Sequence, residues 1–331
     1  MKNKSIKDIA QDLGVSKTTV SFVVNQKGDE KNISKKTQQK ILDYIKEVNY
    51  QPNQIAKSLK QGTTNTIGYL VPDISNPFYA KMGRIIEDLL WEKGYHLLIG
   101  STDEEKEKEE QLLKMFVNRQ VDGLILASCF IQGETLQSLS KQNFPMVFFD
   151  REDPDFLANY IVVENKNPMQ EAIQKTIDAG AQKIGLLSIT PDVYSLKLRI
   201  EGYKQALLRN QIAIDDELIR IVDANHLKES TSKELKILMK AGVEVIAFTN
   251  NQITATSIWL MNMNYPEKVR ELTFVSFDNL DLFDYSLPKV ISVAQPIENI
   301  AKQSVDILEE VMLTKENKNK RIELKPKLIE R

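Results

Sequence analysis

Along the first fifty residues, apolar side chains recur every three or four positions. From residue 66 onward they gather instead into short solid runs separated by longer mixed stretches. The first pattern predicts helices. Ile6, Ile9, Ala10 and Leu13 form one stripe, and Gly14 supplies the permissive backbone for a tight turn. Ser16 is an N-cap residue, and Val20, Val23 and Val24 line the inner side of a second helix from Lys17 to Asn25. A third helix fits Ser34 to Val48, with Thr37, Ile41, Ile45 and Val48 at helical intervals. Two short helices joined by a glycine turn have the spacing of a DNA-reading helix-turn-helix. The pattern alone also suits a helical hairpin with no ligand.

The second pattern predicts buried strands. IGYLVP, YHLLIGS, GLILAS, PMVFFD and YIVVE form one set, and KIGLLSI, IRIVDA, VIAFTN and LTFVSFD form another. Helical stretches lie between them, so the body reads as α/β, with parallel sheets covered on both faces. Two sets imply two lobes, with crossing connections near residues 162–165 and 291–295. PIENIAKQSVDILEEVML reads as a helix and the terminal RIELKPKLIE as one strand.

Charge separates the two regions. Residues 1–60 carry 12 lysines, no arginine and 6 acidic residues; the rest of the chain carries 32 basic against 40 acidic. A basic head on an acidic body is expected when only the head meets phosphate. Lys17, Thr18, Thr19 and Ser21 open the second helix, where side chains reach base edges and phosphates. These two observations favour DNA over the ligand-free hairpin. No apolar run approaches a membrane span, and the start MKNKSIKDIAQD lacks a secretory core. Cys129 is the only cysteine, so no intrachain disulfide is available. Together these give a cytoplasmic protein without membrane partners as the expectation. Two histidines and one cysteine offer no metal cluster, and no cofactor is expected. Cys129 reads as a packed residue, and the acidic run Asp103 to Glu110 as a solvated helix face.

The order and spacing of several segments then become specific. IKDIAQDLGVSKTTVSFVVN, YQPNQIAKSLK, IGYLVPDISNPFY, VDGLIL, FFDR, RIEGYKQAL and FVSFDN follow one another over essentially the whole chain. In this the chain resembles the lactose repressor/galactose repressor (LacI/GalR) family of bacterial transcription regulators. The resemblance implies a helix-turn-helix head at 1–50, a hinge helix at 51–62 and an effector-binding, dimerising body at 63–331. The body would have a two-lobed, periplasmic-binding-protein-like (type I) fold, lobe 1 spanning about 63–162 and 295–331 and lobe 2 about 163–294. By composition the hinge is a short polar segment that would not hold a helix alone, and a plain linker is the alternative. The resemblance implies a helix formed on operator DNA, paired with its twin, with Leu59 wedged between base steps in the minor groove and Ala56 at the close approach. The DNA-contact set is then Ser5, Ser16, Lys17, Thr18, Thr19, Ser21, Phe22, Asn25, Asn53, Ala56 and Leu59. Phe22 is a departure, since the family often places Arg or His there. Without an arginine before Arg84, the head lacks the bidentate arginine–guanine contact.

The same resemblance places an effector between the lobes, at the carboxyl ends of the strands. Asp73, Ser75, Asn76 and Phe78 follow the first strand. Asp150 and Arg151 end PMVFFD, Asn250 ends VIAFTN, and Asp278 ends LTFVSFD. Arg199 in RIEGYK matches the family's Arg-x-x-Gly signature. Carboxylates and guanidinium groups suit sugar hydroxyls because each offers two hydrogen-bonding sites, and Phe78 offers an apolar face. Aspartate at a strand end is also an ordinary helix cap, Asp73 above all, and Asn76 and Phe78 also suit turn and packing roles. Gln295 and Tyr194 are weaker candidates. Asn225 stands where many members carry an aromatic ring.

The expected function is a homodimeric, sequence-specific regulator, a repressor of carbohydrate-use genes acting at a palindromic operator and controlled by a small sugar-type effector. The alternatives are a solute-binding protein, or a regulator answering to a phosphosugar, a sugar acid or a protein co-repressor. Arg151, Lys197 and Arg199 supply the cationic component such anions would need. An enzyme is not expected: Gly-x-Ser-x-Gly and Gly-rich phosphate loops are absent. KPKLIER carries no heptad tail, which gives a dimer rather than a tetramer as the expectation.

Overall fold

The computed structural model describes residues 4–50, 62–189, 193–286 and 288–331. The hinge candidates Asn53, Ala56 and Leu59 lie outside the described residues. Two compact units divide the chain, Met1–Thr64 and Asn65–Arg331.

In the first unit, α1 (Ile6–Leu13), α2 (Lys17–Val24) and α3 (Lys35–Glu47) enclose Ile9, Ala10, Val20, Val23 and Ile41. Each helix starts on a serine cap. Ser5 and Asp8 form a reciprocal capping box, Ser16 Oγ accepts from the Thr19 N–H, and Ser34 Oγ accepts from the Thr37 N–H. Gly14 takes φ 68° and donates to the carbonyls of Ala10 and Gln11. That left-handed position ends α1 and makes the turn into α2, which a β-carbon would disfavour. Tyr44 donates to Asp12 at 2.6 Å, tying α3 to α1.

The second unit contains two six-stranded sheets. Its first half runs β1 (Thr66–Val71), α4 (Pro77–Glu92), β2 (His96–Ser101), α5 (Lys106–Asn118), β3 (Gly123–Leu126), α6 (Glu134–Lys141), β4 (Met146–Phe149) and β5 (Asn159–Val163). The second half runs α7 (Lys166–Asp178), β6 (Ile184–Ser188), α8 (Tyr194–Arg209), β7 (Ile219–Ile221), α9 (Leu227–Ala241), β8 (Val245–Phe248), α10 (Asn251–Asn264), β9 (Thr273–Phe277) and β10 (Lys289–Ala294). The chain closes with α11 (Ile297–Thr314), β11 (Arg321–Leu324) and β12 (Lys327–Glu330).

The sheet orders are β11-β5-β4-β3-β1-β2 and β12-β10-β9-β8-β6-β7. Every pairing is parallel except β10 with β12. The solid apolar runs follow from this burial. Alternate residues of one strand feed opposite layers. Ile67, Tyr69 and Val71 pack with α4 and α11, while Leu70 packs with Leu113 and Phe116 of α5. In the second lobe, Leu186 joins α7 and α8, and Leu187 joins α9 and α10.

Three details differ from the sequence expectation. VISVA, within the region assigned to a crossing connection, is strand β10. RIELKPKLIE is two strands, because Lys325 and Pro326 carry the chain from the first sheet into the second. Pro326 has no N–H with which to continue a ladder. The final residues therefore belong to the second lobe rather than the first, and the lobes are joined by three crossings: after β5, after β10 and after β11.

Gly202 explains part of the Arg-x-x-Gly string. It sits on α8 where α7 crosses it, and a β-carbon there would collide with the Lys166 carbonyl oxygen. Gly202→Ala is expected to destabilise the body by about 1–3 kcal/mol through overpacking, measured by denaturant unfolding. An unchanged midpoint would contradict this close packing.

Candidate functional site

The cleft between the lobes is built from strand ends. Asp150 follows β4 and Asp278 follows β9, the corresponding positions of the two sheets. Both take left-handed backbone, φ 63° and 73°. Each N–H still bonds to the neighbouring strand, Asp150 to the Ile161 carbonyl at 3.2 Å and Asp278 to the Val293 carbonyl at 3.0 Å. The strand is thus held while the side chain turns out over its end, in a conformation aspartate tolerates better than most residues.

Arg199 reaches the cleft from α8 and is only 4% exposed. Its Nε donates to Asn165 Oδ1 at 2.7 Å and its Nη1 to the Thr249 carbonyl at 2.8 Å. The guanidinium carbon lies 3.6 Å from the centre of the Phe277 ring, a cation–π contact in a desolvated setting. Burial lowers the Arg199 pKa, opposed by Asp278 and Asp150. Burial also raises the Asp278 carboxyl, opposed by Arg199 and by the hydrogen bond from Gln295 Nε2.

On the first lobe, Asp150 accepts from Tyr79 Oη at 2.7 Å. Arg151 donates to Cys129 Sγ at 3.0 Å and is ion-paired with Glu104. Cys129 is packed as expected, its thiol pushed up to about 12 by burial. The acidic run is not wholly a solvated face. Glu109 is 1% exposed and accepts from Ser128 Oγ and the Cys129 N–H. Helical periodicity turns it inward, where those donors satisfy its charge and burial raises its pKa.

One cavity of about 260 Å³ gathers Asp73, Asn76, Phe78, Asp150, Arg151, Arg199, Asn250, Asp278 and Gln295. A neighbouring cavity of about 600 Å³ is lined by Ser75 and shares Phe78, Asp278 and Gln295. Several of these groups also have local roles. Asn76 and Asn250 cap α4 and α10, and Phe78 is packed in the first-lobe core. Asp73 accepts from the Ser75 N–H and hydroxyl. Asn76 and Asp73 also accept from Asn251 at 2.9 Å and Gln252 at 3.1 Å, both from the second lobe. Tyr194 is exposed at the start of α8 and does not line the cavity, whereas Asn225 does. Sequence reasoning missed Tyr79, Glu104, Asn165 and Gln252. Of these only Tyr79, inside SNPFY, carried a local signal.

In the head, Lys17, Thr18, Ser21, Phe22 and Asn25 share one face of α2, opposite the buried Val20 and Val23. Lys17 and Thr18 are exposed, and Lys31 Nζ lies 5.5 Å over the Phe22 ring. Ser5, Ser16 and Thr19 engage in cap hydrogen bonds, Ser16 Oγ to Thr19 Oγ1 at 2.8 Å. Asn25 Nδ2 donates to the Ser21 carbonyl at 2.7 Å.

A two-lobed binding body preceded by a helix-turn-helix defines the class of ligand-responsive DNA-binding regulators. Residues 5–53 match the family described as "Bacterial regulatory proteins, lacI family", and residues 67–316 match "Periplasmic binding protein domain". The chain is 30% identical to the ribose operon repressor of Halalkalibacterium halodurans over 99% of this chain and 96% of that one. It is 29% identical to the HTH-type transcriptional repressor PurR of Photobacterium profundum, over 98% and 97%. The Lac repressor bound to ONPG in its repressed state has the same fold, with TM-score 0.80, 21% identity and coverage of 99% and 98%. The protein belongs to the lacI family of bacterial regulatory proteins. It is a DNA-binding transcriptional repressor and not an enzyme. No helix among the described residues is long and apolar enough to cross a membrane.

The raised Asp278 pKa carries a sign that can be checked. A carboxyl raised on folding costs stability while ionised, and that cost fades as pH falls through its folded pKa. Because the native carboxyl regains stability as it protonates and the amide does not, the Tm of Asp278→Asn relative to the native protein is expected to fall as pH is lowered from 7 toward about 4. If Asp278 holds an effector, the same variant should lose charge-assisted bonds worth about 1.5–3 kcal/mol, roughly 10–100-fold in affinity. A Tm difference that does not change over this range would refute the stability half.

Proposed function

We propose that the protein is a homodimeric repressor of carbohydrate-use genes in the cytoplasm, binding a palindromic operator and answering to a small sugar in the interlobe cleft. The observation that carries the effector reading is convergence. Asp150 from one lobe and Asp278 with Arg199 from the other face one cavity, beside the apolar sides of Phe78 and Leu196. Carboxylate and guanidinium pairs suit vicinal hydroxyls, and apolar walls suit the C–H face of a sugar ring. About 260 Å³ lies just below the usual range of roughly 300–1,000 Å³ for ligand cavities. That favours a ligand of monosaccharide size. The relative named a ribose operon repressor makes pentoses the first compounds to try.

Asp73, Ser75, Asn76, Phe78, Arg151, Asn250 and Gln295 complete the proposed contact set. A ligand that touches both lobes changes the free energy of their closure. The cleft sides already meet through Asn76 with Asn251, Asp73 with Gln252, and Lys81 with Asp281 at 3.5 Å. In a dimer, closure would alter the spacing of the two hinges and hence operator affinity. On DNA, α2 would lie in the major groove with Lys17, Thr18, Ser21, Phe22 and Asn25 toward it. The hinge residues Asn53, Ala56 and Leu59 would meet the minor groove.

Two measurements test this. A thermal-shift screen of free pentoses and hexoses should give a concentration-dependent rise in Tm. No rise with any of them would remove the sugar reading while leaving the DNA reading in place. Selection of duplex sites from random DNA by the full-length protein should return a palindrome. On that site, Lys17→Ala should reduce the slope of log K against log salt by about 1. An unchanged slope would show that Lys17 faces no phosphate.

A further inference from the structure

The cleft contains two arginines, and an arginine in a sugar site usually suggests a phosphate or carboxylate on the ligand. Here each has two of its nitrogens engaged, while Arg151 Nε is buried without a partner. Arg199 has its Nε and Nη1 on Asn165 and Thr249 and its face on Phe277. Arg151 has Nη1 on Cys129 Sγ and Nη2 on Glu104 Oε1. Its side chain is 13% exposed, against 45% for Glu104. Glu104 therefore covers the one first-lobe guanidinium that faces the cavity. The charged part of the lining is acidic on balance: Asp73, Asp103, Glu104, Asp150 and Asp278 stand against Arg151 and Arg199. Lys108 is paired with the lining residue Asp103, and Lys81 of the neighbouring cavity is paired with Asp281. An anionic ligand would add negative charge to a lining with an excess of it, and would have to displace Glu104 to reach Arg151.

We propose that Glu104 is the charge-selectivity residue of the cleft: by holding Arg151 it makes the site one for uncharged polyhydroxylated ligands and excludes their phosphorylated or carboxylated counterparts. This deepens the sugar reading and rests on it for the identity of the ligand. Glu104 comes from the loop after β2, at φ 61° beside Asp103 at φ 53°, so its position depends on a turn rather than on the sheet core. Replacing it should leave the fold intact while freeing Arg151.

The test compares the full-length protein with Glu104→Gln, Glu104→Asp and the double variant Glu104→Gln/Arg151→Gln. The first probe is inorganic phosphate against potassium chloride at equal ionic strength, read by thermal shift. The native protein and Glu104→Asp should show only the shallow, non-saturating rise that an excluded anion such as phosphate gives any folded protein. Glu104→Gln should gain a rise of roughly 2–4 °C when phosphate exceeds its Kd about fivefold. The double variant should lose that gain. The second probe is a set of matched pairs: ribose and ribose 5-phosphate, glucose and glucose 6-phosphate, fructose and fructose 1-phosphate. Free sugars should be preferred at least tenfold by the native protein, with the ratio falling in Glu104→Gln. A native protein that binds a phosphorylated member more tightly than its free partner would overturn the proposal. So would a Glu104→Gln protein that stays indifferent to phosphate. If no sugar of either kind binds, the sugar reading fails, and the phosphate comparison still decides the role of Glu104.

Discussion

A guanidinium taken out of water is costly unless its donors and its charge are met, and the burial of Arg199 organises much of the cleft. Its partners come from separate places in the chain. Asn165 lies at the first crossing between the lobes, Thr249 directly follows β8, and Phe277 ends β9. Asp278, one residue further, supplies the opposite charge. Meeting the needs of one side chain thus gathers two strand ends and a crossing segment around a single point. The charge of the second lobe therefore sits where that lobe meets the chain crossing from the first.

The two lobes are variations on one topology. Each has five parallel strands in the same order, extended at the edge by a strand from the C-terminal segment. Each places an aspartate in left-handed backbone at the corresponding strand end. Their surroundings differ. Asp150 is met by a tyrosine hydroxyl and lies next to an arginine held by Glu104, while Asp278 is met by Gln295 and the field of Arg199. The same backbone device therefore gives two carboxylates of unlike character, facing each other across one cavity.

Much of this was legible in the sequence, for physical reasons. Strands buried on both faces must be continuously apolar, so IGYLVP or VIAFTN can be read directly. The glycine and serine at residues 14 and 16 mark the turn because of their backbone and capping chemistry. The misses are equally physical. KLIE is four residues long and half-exposed, and it pairs through backbone groups that leave no pattern. Glu104 and Glu109 sit in a charged run that reads as solvent-facing, yet one covers an arginine and the other is buried. Ser5, Ser16 and Asn76 read as contacts from their chemistry, and in the structure that same chemistry caps helices. A cap does not exclude a contact, since a hydroxyl has further lone pairs to offer. Gln252 could not have been found, because its interest lies only in reaching Asp73 from the other lobe.

The third crossing has a mechanical consequence. Two strands joining two bodies leave freedom both to bend and to twist; a third strand placed beside them removes most of the twist. β11 and β12 are one continuous piece of chain, paired parallel to β5 in one sheet and antiparallel to β10 in the other. This segment therefore ties the two sheets together and should oppose twisting of one lobe against the other. A few hydrogen bonds in the cleft can then yield a displacement of defined direction at the far end of the body.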